Sequence, residues 1–139
     1  MLDLSSIHIP SWQGQEGDGR CQISLTLHNT GDGINGLLIG GERPHIGGVV
    51  MALPRPSLRG EGWSADIYIT PVPGHKDVEV AKKVAGVLAK ELQNIVVITA
   101  GIHSDDLSSD ELSKIIDHCD TLTEVALAAL KLDKTIIKR

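Results

Sequence analysis

Three of the six histidines in this 139-residue chain stand in glycine-rich bends. His45 belongs to Gly40-Gly41-Glu42-Arg43-Pro44-His45-Ile46-Gly47-Gly48. His75 belongs to Pro71-Val72-Pro73-Gly74-His75-Lys76-Asp77, and His103 to Ala100-Gly101-Ile102-His103-Ser104-Asp105-Asp106. Imidazole changes charge near neutral pH and is the commonest metal ligand. Three of them meeting at one point would suit a divalent metal ion. The flanking glycines permit close approach of a backbone or ligand. Arg43 adds a guanidinium, which can grip a phosphate or carboxylate through two parallel hydrogen bonds. Paired merely with Glu42 in a loop, it would be a surface ion pair worth ~0–1 kcal/mol. A lone loop histidine is ordinarily solvated or hydrogen-bonded, so a shared site rests on the three together. His8, His28 and His118 fall on an arm, an alternating strand and a helix, and are read as structural or solvated.

The elements that must position these bends follow from periodicity. Residues 1–20 are polar and glycine-rich and read as a loose arm or a short irregular strand. Cys21–Asn29 alternates apolar and polar residues, the signature of a half-buried strand. A turn cluster, TGDGING, leads to a second strand at Gly36–Gly40, closing a hairpin. Ile46–Pro54 is the third strand, PRPSLRGEG a loop, and Ser64–Thr70 the fourth strand. Val78, Val80, Val84, Val87, Leu88 and Leu92 then recur at helical spacing, predicting a helix from about Lys76 to Gln93. NIVVITAG, opened by Asn94, reads as a strand buried on both faces. Ser108 and Glu111 have capping-box spacing ahead of a long helix that ends near Leu132.

The resulting order, β-β-β-β-α-β-α, predicts an α/β fold: a mixed sheet with an antiparallel meander, a right-handed parallel crossover over residues 64–100, and two covering helices. In that arrangement His75 and His103 both follow strand ends on one edge of the sheet, where ligands bind in open α/β sheets. Helix N-termini there favour an anion. The start of the third strand, with His45, faces the same edge if that strand runs antiparallel to the fourth.

The length fits one domain, 1–139. Thirteen basic against 18 acidic residues, net charge −5, argue against nucleic acid as the main partner, and so do the scarce aromatics (2%). The core must be aliphatic. Cys21 and Cys119 read as reduced, buried residues rather than a disulfide. The first twelve residues lack the pattern of a secretory signal, and no apolar stretch approaches the ~20 residues of a membrane span, so a cytoplasmic protein without membrane contact is expected. VALAAL in the last helix is a candidate oligomer surface, or equally core. The dinucleotide fingerprint, P-loop, G-x-S-x-G elbow and H-E-x-x-H are absent.

GGERPHIGGVVMA, PGHKD with its amphipathic helix, and VVITAGIH with its acidic helix start together resemble the prenylated-flavin chaperone family. These are the small D subunits associated with UbiD-type aromatic-acid decarboxylases such as gallate decarboxylase. The similarity runs from the first strand to the final helix, but PRPSLRGEGWS follows no family pattern. The resemblance implies a non-catalytic carrier of prenylated FMN (or FMN) with a divalent metal ion, which supplies the cofactor to the large decarboxylase subunit. It implies a fold similar to proteasome-assembly chaperones. It also implies that His45, His75 and His103 anchor the site and hold the metal. Arg43, Glu42, Pro44 and the glycines Gly40, Gly41, Gly47, Gly74 and Gly101 would line the flavin or its phosphate. Trp63 is the best candidate for stacking on the ring. A homo-oligomer is expected.

Two other readings remain open on the residues alone. One is a metal-dependent enzyme with a three-histidine site and Glu42, Asp77 or Asp105 as general base. The other is a structural subunit whose histidines pack loops.

Overall fold

The computed structural model describes residues 11–74 and 77–133. Six strands form one mixed sheet: β1 (Ser11–Glu16), β2 (Ile23–Asn29), β3 (Ile34–Gly41), β4 (Gly48–Pro56), β5 (Trp63–Pro71) and β6 (Val96–His103). Helices α1 (Val78–Leu92) and α2 (Ser109–Lys131) complete the element order. The spatial order is β1-β2-β3-β6-β4-β5. Residues 1–10, which begin the predicted arm, lie outside the described residues. Residues 11–16 form a regular edge strand, with Trp12 opposite Leu27 and Glu16 opposite Ile23.

The expected α/β class and mixed sheet are present, with two rearrangements. The meander holds for β1-β2-β3, but β3 and β4 do not pair. β6 lies between them, parallel to β3 and antiparallel to β4. The helix over residues 78–92 therefore links parallel strands β5 and β6 across β4 rather than joining neighbours. The reason lies in composition: VVITA is the most apolar strand, and the centre of the sheet surrounds it best. Both helices pack on one face of the sheet. Val96, Ile98 and Ala100 point into this core, whereas Val97 and Thr99 are half-buried on the other face, which no described helix covers. Burial of β6 on both faces is thus corrected to one. Leu37, Met51 and Tyr68 are exposed on that uncovered face.

The aliphatic core joins Ile23, Leu25, Leu27, Leu38 and Val50 from the sheet with Val84, Leu88 and Leu122 from the helices. Within VALAAL, Ala126 and Leu130 are core and Val125 is exposed. Cys21 and Cys119 are free and buried, as expected. Burial pushes the Cys119 thiol up to about 12. β4 continues through Pro54 and Pro56, past the expected loop start. Its pairing with β6 ends at Ala52, so both prolines lie where one strand edge is unpaired and no ladder bond is lost. The predicted capping box is formed: Glu111 N donates to Ser108 Oγ and Ser108 N to Glu111 Oε1, both at 3.1 Å.

Gly86 is an exception to the tight packing. It lies inside α1, where glycine is unfavourable, yet an added methyl would find its nearest neighbour, Ile67 Cδ1, at 3.6 Å. Gly86→Ala should therefore stabilise the fold by about 0.5–1 kcal/mol. Urea unfolding checks this, and an unchanged or lower midpoint would contradict it.

Candidate functional site

β3, β5 and β6 end, and β4 begins, at one edge of the sheet, with Gly41 opposite His103, Gly48 opposite Ala100 and Gly48 opposite Pro71. The inserted position of β6 forces the 42–47 connection to pass over its end. Arg43 N donates to His103 O at 3.0 Å and Gly47 N to Ala100 O at 2.7 Å. Glu42 N donates to Ser104 Oγ at 3.1 Å.

The glycines of these bends serve that crossing. A Cβ on Gly101 would lie 1.3 Å from His45 O, and one on Gly47 would lie 2.1 Å from Asp77 Oδ2. Gly40 and Gly41 sit equally close to Gln22 O and His103 O, at 2.2 and 2.4 Å. The space these four residues leave is filled by the chain itself. Gly74 differs: nothing lies within 4 Å of its would-be Cβ.

His45 and His103 are brought together, their rings edge to face with centroids 5.8 Å apart. His45 Nδ1 donates to Arg43 O at 3.1 Å, and Nε2 lies 3.0 Å from Asp77 Oδ2. Asp77, almost buried, also accepts from Ile102 N at 3.0 Å. Its carboxylate thus ties the start of α1 to both the 42–47 loop and β6. His103 Nε2 lies 2.9 Å from Asp105 Oδ1 and 2.8 Å from Arg43 Nη2. Arg43 Nη2 donates to both Asp105 oxygens, at 3.0 and 3.2 Å. The hydrogen bond from His103, then the Arg43 charge, hold the Asp105 carboxyl below its usual range. Glu42 and Pro44 are exposed on the same loop.

His75 lies outside the described residues. Among those described, no group of three His, Cys, Asp or Glu is placed to hold a metal ion. The contacts explain why: both nitrogens of His45 face oxygen acceptors, and Nε2 of His103 is shared between Asp105 and Arg43. The histidine pair therefore does not fit a metal as arranged.

A cavity of about 290 Å³ opens beside His103. Asp77, Ser104 and Gly74 give it polar margins, and Val80, Ile102, Leu107, Leu112 and Ile115 an apolar wall. The start of α2 does not offer an anion site, because its capping box and the acidic Asp110 and Glu111 already occupy it. At α1 the Asp77 side chain makes no cap and turns to His45 instead. Trp63 stands in a different cleft, between β5 and α1.

Sequence reasoning missed Arg20 and Ser104. Arg20 clasps Glu42 Oε1 at 3.2 Å and Glu111 Oε2 at 2.8 Å, and donates to the Asp105 carbonyl. Ser104 Oγ donates to Arg20 O at 2.9 Å. The segment DGRC carries no spacing signal that reveals this clasp.

Glu111 provides a pH test. Its backbone hydrogen bond within the capping box, supported by the Arg20 charge, lowers its carboxyl from the usual value. A carboxylate depressed by folding stabilises the native state at neutral pH, and that stabilisation is lost as pH falls through the folded value. Glu111→Gln should be less stable than the native chain at pH 7, with the gap closing below the ordinary glutamate range. Urea midpoints across pH check this, and a pH-independent gap would contradict it.

Among the described residues, no helix is long and apolar enough to cross a membrane. No curated protein shows a significant match to the sequence. The fold is similar to that in a crystal structure of a chaperone complex for yeast 20S proteasome assembly. The TM-score is 0.56 and the identity 12%, covering 89% of this chain and 96% of that one. The likeness establishes the expected architecture. Residues 17–131 match the prenylated flavin chaperone LpdD-like domain, a span that contains both histidines, Arg43, Asp77 and the cavity beside them, and the chain belongs to that prenylated-flavin chaperone family.

Proposed function

We propose that this chain is a non-catalytic, cytoplasmic carrier that holds prenylated FMN in the cavity beside His103 and passes it to a UbiD-type decarboxylase subunit. The observation that carries the reading is the pairing of an apolar wall, Val80, Ile102, Leu107, Leu112 and Ile115, with His103 at the margin, whose Nε2 lies 2.8 Å from the Arg43 guanidinium just outside the cavity. The cavity, about 290 Å³, lies just under the range of about 300–1,000 Å³ common for binding pockets, so it takes the flavin ring and leaves the phosphate arm at its mouth. A phosphate carries more charge than a carboxylate and would take the place of Asp105 on Arg43. The apolar wall keeps water from the ring. The bound cofactor supplies the reactive ring system to the partner, while this chain's residues bind, orient and shield it.

The described imidazoles do not fit the metal expected from the resemblance, and the carrier grips its cofactor through this chain's own side chains. The carrier also self-associates through its sheet. The uncovered sheet face exposes Leu37, Met51 and Tyr68, whereas Ala126 and Leu130 of VALAAL are already in the core.

Anaerobic co-expression with a prenyl-flavin synthase, followed by mass spectrometry of the purified chain, tests the reading. Prenylated FMN should co-purify in near-stoichiometric amount and move to added decarboxylase subunit. A chain that emerges empty under those conditions overturns it.

A further inference from the structure

We infer that the cleft between β5 and α1 docks an extended, acidic strand of another protein, which adds to the free edge of β5. The inference goes beyond cofactor carriage and does not depend on it. β5 is the last strand of the sheet, and no described residue pairs with its outer edge. Edge strands present unpaired N–H and C=O groups, and proteins usually blunt them with lysine, proline or a bulge. The nine residues of β5 contain no lysine, its single proline is the last residue, and its one charged residue, Asp66, is held by Arg55 of the neighbouring β4 at 2.7 Å. A long, unblunted edge is a template for a partner strand.

The cleft beside this edge, about 510 Å³, has a floor of Ile67, a flank of Trp63 and a rim of three lysines, Lys82, Lys83 and Lys90, against one carboxylate, Glu79. In a chain of net charge −5 this is a local concentration of positive charge. Lys83 is engaged by Asp120 at 2.9 Å, and Lys82 meets only Glu79 at 3.4 Å. Lys90 makes no ion pair among the described residues. Gly86 lies midway between Lys82 and Lys90, so the helix is bare where it overhangs Ile67, and nothing packed there requires a glycine. Lys82, Gly86 and Lys90 recur every four residues, about 6 Å along a helix. Alternate residues of a strand recur at about 6.8 Å. A strand beside β5 can thus place a carboxylate at Lys82, an apolar side chain over Gly86 and a second carboxylate at Lys90. A second copy fits poorly, because pairing two β5 edges would set the two lysine rows side by side.

The probe is a fluorescently labelled nine-residue peptide with glutamate at its third and seventh positions, valine at its fifth, and threonine or valine elsewhere. Anisotropy is measured against the full chain at low salt. The peptide should bind, and Lys82→Glu with Lys90→Glu should weaken it at least tenfold while circular dichroism stays native. Two further peptides, N-methylated on alternate residues, probe the native chain directly and stay informative if the double variant misfolds. One alternate set should lose at least tenfold and the other should bind normally, since only one row of N–H groups faces β5. No binding, or equal binding by both methylated peptides, overturns the inference. Displacement of the peptide by FMN, with FMN binding itself lost in the double variant, would make the cleft a small-molecule site and also overturn it.

Discussion

Gly101→Ala should lower stability by about 3 kcal/mol and remove flavin binding, the largest effect expected of any single methyl in this chain. The added carbon would lie 1.3 Å from His45 O, a backbone atom that no rotamer change can move aside. Overpacking typically costs about 1–3 kcal/mol, and a clash with backbone belongs at the top of that range. Relief requires the 42–47 loop to lift from β6. That breaks the Gly47–Ala100 and Arg43–His103 hydrogen bonds, at 2.7 and 3.0 Å, and carries His45 away from Asp77. Urea unfolding and a flavin titration of the refolded variant measure both consequences. A native-like midpoint would mean that the loop does not cross the end of β6.

Arg43→Ala should act on binding alone. The side chain is 65% exposed and its partner Asp105 67%, so removing it leaves the core intact. A hydrogen bond to a charged group is worth about 1.5–3 kcal/mol, which predicts affinity for FMN or prenylated FMN reduced roughly ten- to hundredfold. Arg43→Lys should recover part of the loss, since it keeps the charge but not the planar fork. Anaerobic fluorescence titration reads the affinity. Unchanged binding in Arg43→Ala would remove the guanidinium from the phosphate site.

Local signals in the sequence were strong. The Ser108–Glu111 capping box, the α1 periodicity and the alternation in Ile23–Asn29 each depend on neighbours a few residues apart, and each element forms within a few residues of its expected bounds. Strand order depends on which edge excludes most water, and no local pattern encodes it. That is why an unbroken meander of the earlier strands was expected, whereas β6 stands between β3 and β4. At the site, the approach of His45 to His103 followed from reading strand directions correctly. The atoms facing their nitrogens did not, because Asp77 and Asp105 show their roles only once the bends are folded against each other. Arg20 lay in a segment read as an arm, and its clasp joins residues up to 91 positions away, a separation invisible to periodicity.

The late position of β6 in the chain has a consequence for how the molecule is made. Until residue 103 has emerged from the ribosome, β1-β2-β3 and β4-β5 are two sheet fragments with no strand between them. Long-range pairing of this kind slows folding. During synthesis both fragments display raw inner edges, open to aggregation or chaperone capture. Insertion of β6 joins them and in the same event lays the 42–47 loop over its end, so a nascent chain completes the cavity beside His103 only after its sheet has closed and α2 has added Leu112 and Ile115 to the wall.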